Sequence, residues 1–325
     1  MNRRRLLQAA ALSLCGGAPL RLAAAEADFP SRTIRIVVPF NAGSQLDVFA
    51  RLLGERLAPV LGQPVVVDNR PGMSGNIASD AVAKAAPDGH TLLLSGVLIT
   101  LLPLTFGARA VDPVKAFAPV TRLSQQPVLI VANPALGVSS LDDLIALAKR
   151  EPGKIAYGTS GVGTAQHLMM TLLAQRSGIE LFHVPYSNFA QLMGDVIGGS
   201  IPVIVTFTGT VDQHLKSGRL KALAHSGARA SPILAGIPTI AESGFPGFEV
   251  LTWSGVVAPA GTPPLIVERL HREIVRILQL PDVRDVFIAQ GAEPVGNTPA
   301  AFAAEIKASM ARWEPVIKAA GIRVE

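Results

Sequence analysis

The sequence predicts an α/β protein with mostly parallel sheets flanked by helices, divided into two domains. Short β-branched and apolar runs alternate with segments whose apolar residues have helical spacing, a pattern typical of strands joined through helices. The chain has 325 residues, 49% of them hydrophobic, which is enough to bury more than one core. Because we find no long linker, we expect strands or tight connections to join the two domains.

Nine segments are predicted as strands: 34–39, 65–68, 91–95, 128–132, 155–159, 181–184, 203–207, 222–225 and 253–258. Helices are predicted between them, including 47–60 and Leu141–Arg150, the second opened by a capping box at Ser140. The uncharged segment 91–107 is interpreted as a buried strand followed by a loop. The alternative, a membrane span, requires roughly 20 mainly apolar residues, and this segment is too short for that.

The C-terminal part of the chain has a different pattern. Three helical segments, 264–280, 282–290 and 299–320, follow the last predicted strand, and no strand is predicted between them. We therefore expect a group of helices that packs back onto one of the two domains.

The first 27 residues predict a signal peptide that is cleaved. Arg3, Arg4 and Arg5 precede an apolar run over 6–14, and alanines follow at 23–25. The arginines also fit a twin-arginine signal loosely, so Sec and Tat export both stay open. The mature protein is expected to work in the periplasm.

The charge of the mature chain excludes a nucleic-acid-binding function. The net charge is +5, but four arginines leave with a leader cleaved after Ala25, so the mature value is +1. No mature segment has the clustered lysines and arginines that bind phosphates. Cys15, the one cysteine, also lies in the leader; a bulky leucine nearby disfavours its alternative use as a lipid acceptor. The mature chain then has neither disulfides nor thiolate chemistry.

The first candidate site is the turn that follows the strand at 34–39. It consists of Phe40, Asn41, Ala42, Gly43 and Ser44, and a helix capped by Ser44 or Asp47 comes next. Free amides at a helix start carry partial positive charge, and Gly43 lets the backbone approach a ligand closely. The turn therefore suits a carboxylate, although an ordinary strand-to-helix turn has the same local pattern.

The second candidate site is the glycine- and hydroxyl-rich turn after the strand at 155–159. It contains Ser160, Gly161, Gly163 and Thr164, with His167 one turn inside the following helix. The glycine spacing is reversed from that of a dinucleotide-binding loop, and the Gly-x-Ser-x-Gly nucleophile pattern is incomplete. A polar binding loop is the interpretation that remains, alongside a secreted hydrolase or isomerase that uses His167 with Ser160 or Thr164.

A third candidate is Tyr186, at the end of the strand at 181–184, where it could cover a ligand from the second domain. An aromatic residue at a strand end is a core residue about as often. The six histidines show no paired spacing with cysteines or carboxylates, so no metal site is predicted. No cofactor is predicted either. Loops at the ends of strands line the binding clefts between two sheets, and these three loops are therefore candidates for such a cleft.

Several segments, taken together, resemble the solute receptors of tripartite tricarboxylate transporters, the Bug-type periplasmic binding proteins. The matching segments are IRIVVPF at 34–40, LGQPVVVDNRPG at 61–72, GNI at 75–77, AAPDGHTLLL at 85–94, GTAQHL at 163–168, HVPY at 183–186, PTIAE at 238–242 and APAGTP at 258–263. They are spread over nearly the whole mature chain. Because the matching segments are numerous and occur in the same order, we expect the chain to be a member of this family.

The resemblance implies a monomeric two-lobed "Venus flytrap" receptor, not an enzyme, that closes on a small organic acid and delivers it to membrane permease subunits. It implies one lobe over 28–128 plus 252–325 and a second over 129–251. The ligand-binding positions that it implies are Phe40, Asn41, Ala42, Gly43, Ser44, Ser95, Ser160, Gly161, Gly163, Thr164, His167, Tyr186 and Thr206.

Two departures from the family pattern concern the ligand. Thr206 stands where the family commonly has an acidic residue, and Phe189 lies in a segment that departs from the family pattern. We therefore expect a ligand without an ammonium group, because Thr206 offers no counter-charge, and with a sizeable apolar or aromatic body, because Phe189 would add apolar surface. A ligand sensor that signals through a partner protein stays open as an alternative function.

Overall fold

The strands of the protein form two sheets. The computed structural model describes residues 29–229 and 234–322, so the predicted signal peptide with Cys15 lies outside the described residues. The first sheet has the order β11-β4-β10-β3-β1-β2. Its strands are β1 (Ile34–Val38), β2 (Val65–Asn69), β3 (Thr91–Gly96), β4 (Phe117–Pro127), β10 (Leu251–Pro259) and β11 (Glu293–Pro294).

The second sheet has the order β7-β6-β8-β5-β9. Its strands are β5 (Leu129–Ala132), β6 (Ala156–Thr159), β7 (Phe182–Pro185), β8 (Val203–Thr206) and β9 (Lys221–His225). Each of the nine predicted strands coincides with a strand of one sheet or the other, to within two residues at either end.

The helices cover both sheets. In chain order they are α1 (Gln45–Leu61), α2 (Asn76–Ala83), α3 (Leu98–Phe106), α4 (Pro113–Ala116), α5 (Leu141–Arg150), α6 (Ala165–Ser177), α7 (Phe189–Ile197), α8 (Thr208–Lys216), α9 (Pro264–Leu278), α10 (Pro281–Ala289) and α11 (Pro299–Ala319). The capping box predicted at Ser140 is confirmed, because its hydroxyl accepts the Asp143 N–H while the Asp143 carboxylate accepts the Ser140 N–H.

We call the second sheet with α5 to α8 lobe 2, and the first sheet with the other helices lobe 1. The α/β class with two sheets flanked by helices is confirmed. The boundaries predicted for the two lobes, between residues 128 and 129 and between 251 and 252, stay a prediction. Within the described ranges, no helix combines the length and the apolar content that a membrane crossing requires.

Lobe 1 buries apolar side chains on both faces of its sheet. On one face α1 and α9 pack over the strands, and the rings of Phe49 and Phe287 stack with centroids 3.9 Å apart. On the other face α3 and α11 belong to a cluster that also contains Leu168 and Met169 of α6. Because α6 lies in lobe 2, the helix α11 contacts both lobes.

Three local expectations are corrected by the structure. The segment after β3 is the helix α3 rather than a loop, and β4 is a strand of 11 residues that was not predicted. The short strand β11 lies between α10 and α11, where only helices were expected. Lobe 1 nevertheless carries the predicted C-terminal helices.

The sheets are mixed, so the expected predominance of parallel pairs is not met. Among the described residues, four strand pairs are parallel and five are antiparallel. Four of the antiparallel pairs involve β5 or β10, the strands through which the chain passes into the other lobe. A direct crossing fixes the direction of such a strand, whereas a connection through a helix favours a parallel pair.

The two crossings lie side by side and are joined through Ser226. Val128 connects β4 to β5, and Val250 leads back into β10. The buried Ser226 hydroxyl accepts the Val128 N–H at 2.8 Å and donates to the Val250 carbonyl. Main-chain bonds from Ser226 N to Val128 O and from Val250 N to Ser226 O, both 2.9 Å, complete the junction.

We predict that Ser226→Ala destabilises the protein by about 1–3 kcal/mol, because it leaves the buried Val128 N–H without an acceptor and the Val250 carbonyl without this donor. Urea unfolding followed by circular dichroism measures the change. Ser217→Ala removes an exposed hydroxyl that bonds the His214 carbonyl and serves as the control, with an expected change within about 0.5 kcal/mol. Equal stability of Ser226→Ala and the wild type would contradict the role given to this hydroxyl.

Candidate functional site

A cavity of about 450 Å³ lies between the two lobes. Lobe 1 contributes Phe40 and 44–46 at the start of α1, and lobe 2 contributes Ser160 and 162–166 at the start of α6. The two turns that the sequence predicted as candidate sites therefore line one shared cavity. Its volume is in the range of small-molecule binding sites.

Hydrogen bonds within the first turn of α1 fix the conformation of the backbone at its start. Ser44 caps the helix and accepts the Asp47 N–H, while the buried Asp47 carboxylate accepts the Gly43 N–H at 2.9 Å. A hydrogen bond from Arg51 holds the pKa of Asp47 at about 2, so this carboxylate is charged at neutral pH. Gly43 has φ +83°, which a residue with a side chain adopts only with strain.

The start of α6 is built in the same way. Thr164 caps the helix, accepting the His167 N–H and donating at 2.8 Å to the Gly161 carbonyl. The φ angles of Gly161 and Gly163 are +135° and +74°. A Cβ atom on Gly163 would lie 3.2 Å from Thr105 Cγ2, so this turn of lobe 2 closely approaches α3 of lobe 1.

Four main-chain N–H groups at these helix starts are available to a ligand. They belong to Gln45 and Leu46 of α1 and to Ala165 and Gln166 of α6, all of which line the cavity. An α-helix leaves its first N–H groups without an intrahelical acceptor. Within residues 29–229 and 234–322 these four have no other acceptor either. The partial positive ends of two helices therefore meet at the same cavity.

His167 supports the turn from behind. Its Nδ1 accepts the Gly163 N–H at 3.1 Å, and its ring stacks on that of His183 with centroids 3.9 Å apart. His183 in turn bonds Thr159 Oγ1 at 2.7 Å and stacks on Tyr157. Burial lowers the pKa of His167 to about 4, and burial together with the neighbouring His167 does the same for His183. Both rings are neutral at pH 7.

Five of the predicted ligand-binding residues line the cavity: Phe40, Ser44, Ser160, Gly163 and Thr164. Other predicted residues lie in the turns that carry these five, or are buried directly beside the cavity, without lining it: Asn41, Ala42, Gly43, Ser95, Gly161 and His167. The predicted ligand-binding role of all of them stays a prediction.

Two further predicted residues have partners elsewhere in lobe 2. The Tyr186 hydroxyl donates to Asp195 Oδ2 at 2.6 Å, and the buried Thr206 hydroxyl bonds that of Thr210 at 2.7 Å. Neither residue lines the cavity. Phe189, which was expected to add apolar surface for a ligand, does not line it either.

The rest of the lining was not found from the sequence. The floor is formed by Ser124 and Gln126 of β4 and by 252–254 of β10, and one wall by Leu98, Leu101, Leu102, Thr105 and Phe106 of α3. We call this second set the α3 wall. The apolar spacing i, i+3, i+4 and i+8 over 98–106 is the signal from which this helix could have been predicted.

A strained turn contributes Ser74. Four successive residues have positive φ: Gly72 at +123°, Met73 at +45°, Ser74 at +51° and Gly75 at +93°. For residues with a side chain, this left-handed conformation costs about 1–3 kcal/mol, and such strain is concentrated at functional sites. Ser74 lines the cavity.

The described residues around His167 do not form a catalytic or a metal site. Of the described residues, no group of three histidines, cysteines or carboxylates could hold a metal ion. In the described part of the chain the His167 ring accepts the Gly163 N–H and stacks on His183, and its main chain bonds Thr164 and Thr171; none of these hydrogen bonds or ring contacts involves a carboxylate that could orient it. Among the described residues, nothing supports the alternative of a hydrolase or isomerase that uses His167.

A family model described as tripartite tricarboxylate transporter family receptor matches residues 49–322. The chain belongs to this family. The resemblance inferred from the motifs is therefore confirmed, and so is the prediction of a binding protein rather than an enzyme, because the family is one of receptors.

Relatives and solved structures agree with this membership. BugT of Bordetella pertussis (strain Tohama I) is 37% identical over 302 residues, which cover 91% of this chain and 92% of BugT. The structure of R. palustris Rpa4515 with adipate has a TM-score of 0.81 at 36% identity and covers 91% of this chain and 99% of that one. The periplasmic binding protein BugD has a TM-score of 0.78 at 33% identity, covering 91% and 100%. The fold and the family are thus shared with periplasmic binding proteins.

We predict that acid destabilises this receptor through its histidine pair. Folding lowers the pKa of His167 and His183 from 6.5 to about 4, so between these values the unfolded chain binds more protons than the folded one. The stability is therefore complete above about pH 6.5 and falls as the pH drops towards 4. Melting temperatures measured from pH 7.5 to pH 4.5 should fall accordingly.

His183→Phe tests the assignment, because it keeps a ring on His167 and removes one titrating group. The melting temperature of this variant should fall less steeply with acid than that of the wild type. An equal or steeper fall would show that other groups cause the acid sensitivity.

Proposed function

We propose that this chain is an extracytoplasmic receptor that captures a small organic carboxylate in the cavity between its lobes and delivers it to the membrane permease of a tripartite tricarboxylate transporter. One observation carries the proposal: the first residues of α1 and α6, from different lobes, line the same cavity, and their N–H groups have no acceptor among the described residues. The adipate complex of Rpa4515 supports a carboxylate as the ligand class.

The helix starts supply the attraction for the anion. Of the described residues that line the cavity, none has a charged side chain, so no fixed arginine or lysine neutralises the ligand. The 17-residue α1 and the 13-residue α6 each present about half a positive charge at their first turn. Two such ends, with four N–H donors, match the oxygens of one carboxylate.

Binding at both helix starts also explains how a ligand would favour closure. A ligand that touches α1 and α6 together gains contacts only when the lobes are close, so it binds the closed form more tightly. Besides the contact between α11 and α6, the lobes approach each other closely at two glycines of lobe 2. Gly163 lies against Thr105, and a Cβ atom on Gly209 would lie 3.0 Å from the Gln290 carbonyl oxygen.

Export and partners complete the proposal. The leader over 1–27 would carry the chain to the periplasm by the Sec or the Tat route, where it would act as a monomer. The ligand-bound form would then meet the permease subunits, while the ligand itself stays chemically unchanged. Native mass spectrometry of freshly purified protein tests this directly, because a co-purified organic acid identifies the ligand.

We predict that Ala165→Pro weakens carboxylate binding by about tenfold to a hundredfold. Proline removes the N–H of the first helical residue of α6 and is well tolerated at this position. Thr164 before it has φ −73° and ψ 160°, the conformation that a following proline requires. The loss of a hydrogen bond to a charged group accounts for the magnitude. Isothermal titration calorimetry with hexanoate and adipate measures it.

Phe189→Pro is the matched control, since it places proline at the first residue of α7, which does not line the cavity. It should bind carboxylates like the wild type. An Ala165→Pro protein that folds and keeps full affinity would contradict the role of the α6 amide. Failure of the wild type to bind any carboxylate would contradict the proposed function itself.

A further inference from the structure

We propose that the ligand is a monocarboxylate with an apolar body, aromatic or aliphatic, and that dicarboxylates and amino acids are poor ligands. This inference rests on the proposed function and assigns the ligand class of the same cavity. It depends on which groups can solvate a ligand once the cavity has closed around it.

The two helix starts are the part of the cavity that suits a negative charge best. The four N–H groups at the starts of α1 and α6 are donors, and the lining offers no charged side chain of either sign among the described residues. A carboxylate can be bound there, but an ammonium group would find no carboxylate to pair with. Burying a charge without a partner is strongly unfavourable.

The polar side chains of the floor bond mainly to each other. The amides of Gln45 and Gln126 pair reciprocally, at 3.1 and 3.2 Å, and Gln45 also donates to the Gln290 carbonyl. The hydroxyls of Ser124 and Ser254 bond each other at 2.7 Å. These bonds leave one N–H of the Gln126 amide and one hydroxyl hydrogen of the serine pair for a ligand, so the floor offers neutral donors and no charge.

The α3 wall is apolar and has no group that could bind a second charge. Its one polar side chain, Thr105, donates to main-chain carbonyls of Leu101 and Leu102. The other wall residues are Leu98, Leu101, Leu102 and Phe106, and the rings of Phe207 and Trp253 also border the cavity. Burial of apolar ligand surface against this wall is favourable, whereas a second carboxylate placed there would lose its water without gaining donors from the wall.

The test uses two matched pairs of ligands and the purified wild-type protein. Hexanoate and adipate share a six-carbon chain and differ by one carboxylate; 3-phenylpropanoate and L-phenylalanine differ by one ammonium group. Calorimetry should give at least about tenfold tighter binding for the first member of each pair. Adipate binding more tightly than hexanoate, or phenylalanine more tightly than phenylpropanoate, would overturn the inference and leave the carboxylate receptor intact. Absence of binding by all four would count against both.

Leu98→Arg tests the α3 wall itself. Leu98 is half-buried, so the protein can accommodate a longer side chain, and the new guanidinium would supply the missing partner for a second carboxylate. The preference for hexanoate over adipate should shrink or reverse. Leu265→Arg, at a 60% exposed leucine of α9 outside the cavity, is the control and should keep the wild-type preference. A folded Leu98→Arg protein with the wild-type preference would contradict the inference.

Discussion

The structure depends on the meeting of two helix starts, one from each lobe, at a cavity whose lining has no charged side chain among the described residues. In the proposed binding mode a carboxylate is stabilised by main-chain N–H groups and helix dipoles rather than by a fixed charge, so the binding would depend on the geometry of the two turns. Most of the polar detail around the cavity serves that geometry. Asp47 holds the turn before α1, and His167 holds the turn before α6.

The elements of the fold were largely predictable because their residues follow local rules. Each predicted strand is a short β-branched or apolar run, and Ser140 with Asp143 signals the start of α5. The 11-residue β4 was missed because polar residues such as Arg122, Gln125 and Gln126 interrupt its apolar residues, so that it forms no apolar run. The helix α3 was missed because Thr100 and Pro103 interrupt the apolar run and indicated a loop, although the apolar spacing is helical.

The candidate site was predictable only where the backbone itself forms it. Phe40, Ser44, Ser160, Gly163 and Thr164 lie in turns with a recognisable strand-to-helix pattern, and all of them line the cavity. The floor and the α3 wall carry no such pattern, because they become a surface only when β4, β10 and α3 are assembled. Tyr186 illustrates the converse: its position at a strand end suggested a ligand contact, while its hydroxyl is bonded to Asp195.

The most direct test of the account is a crystal structure of the protein with a bound carboxylate. The account predicts both ligand oxygens in the cavity within about 2.7–3.2 Å of main-chain nitrogens at the starts of α1 and α6, with contacts to both lobes. A carboxylate held by side chains of a single lobe, or seated outside the cavity between the lobes, would contradict it.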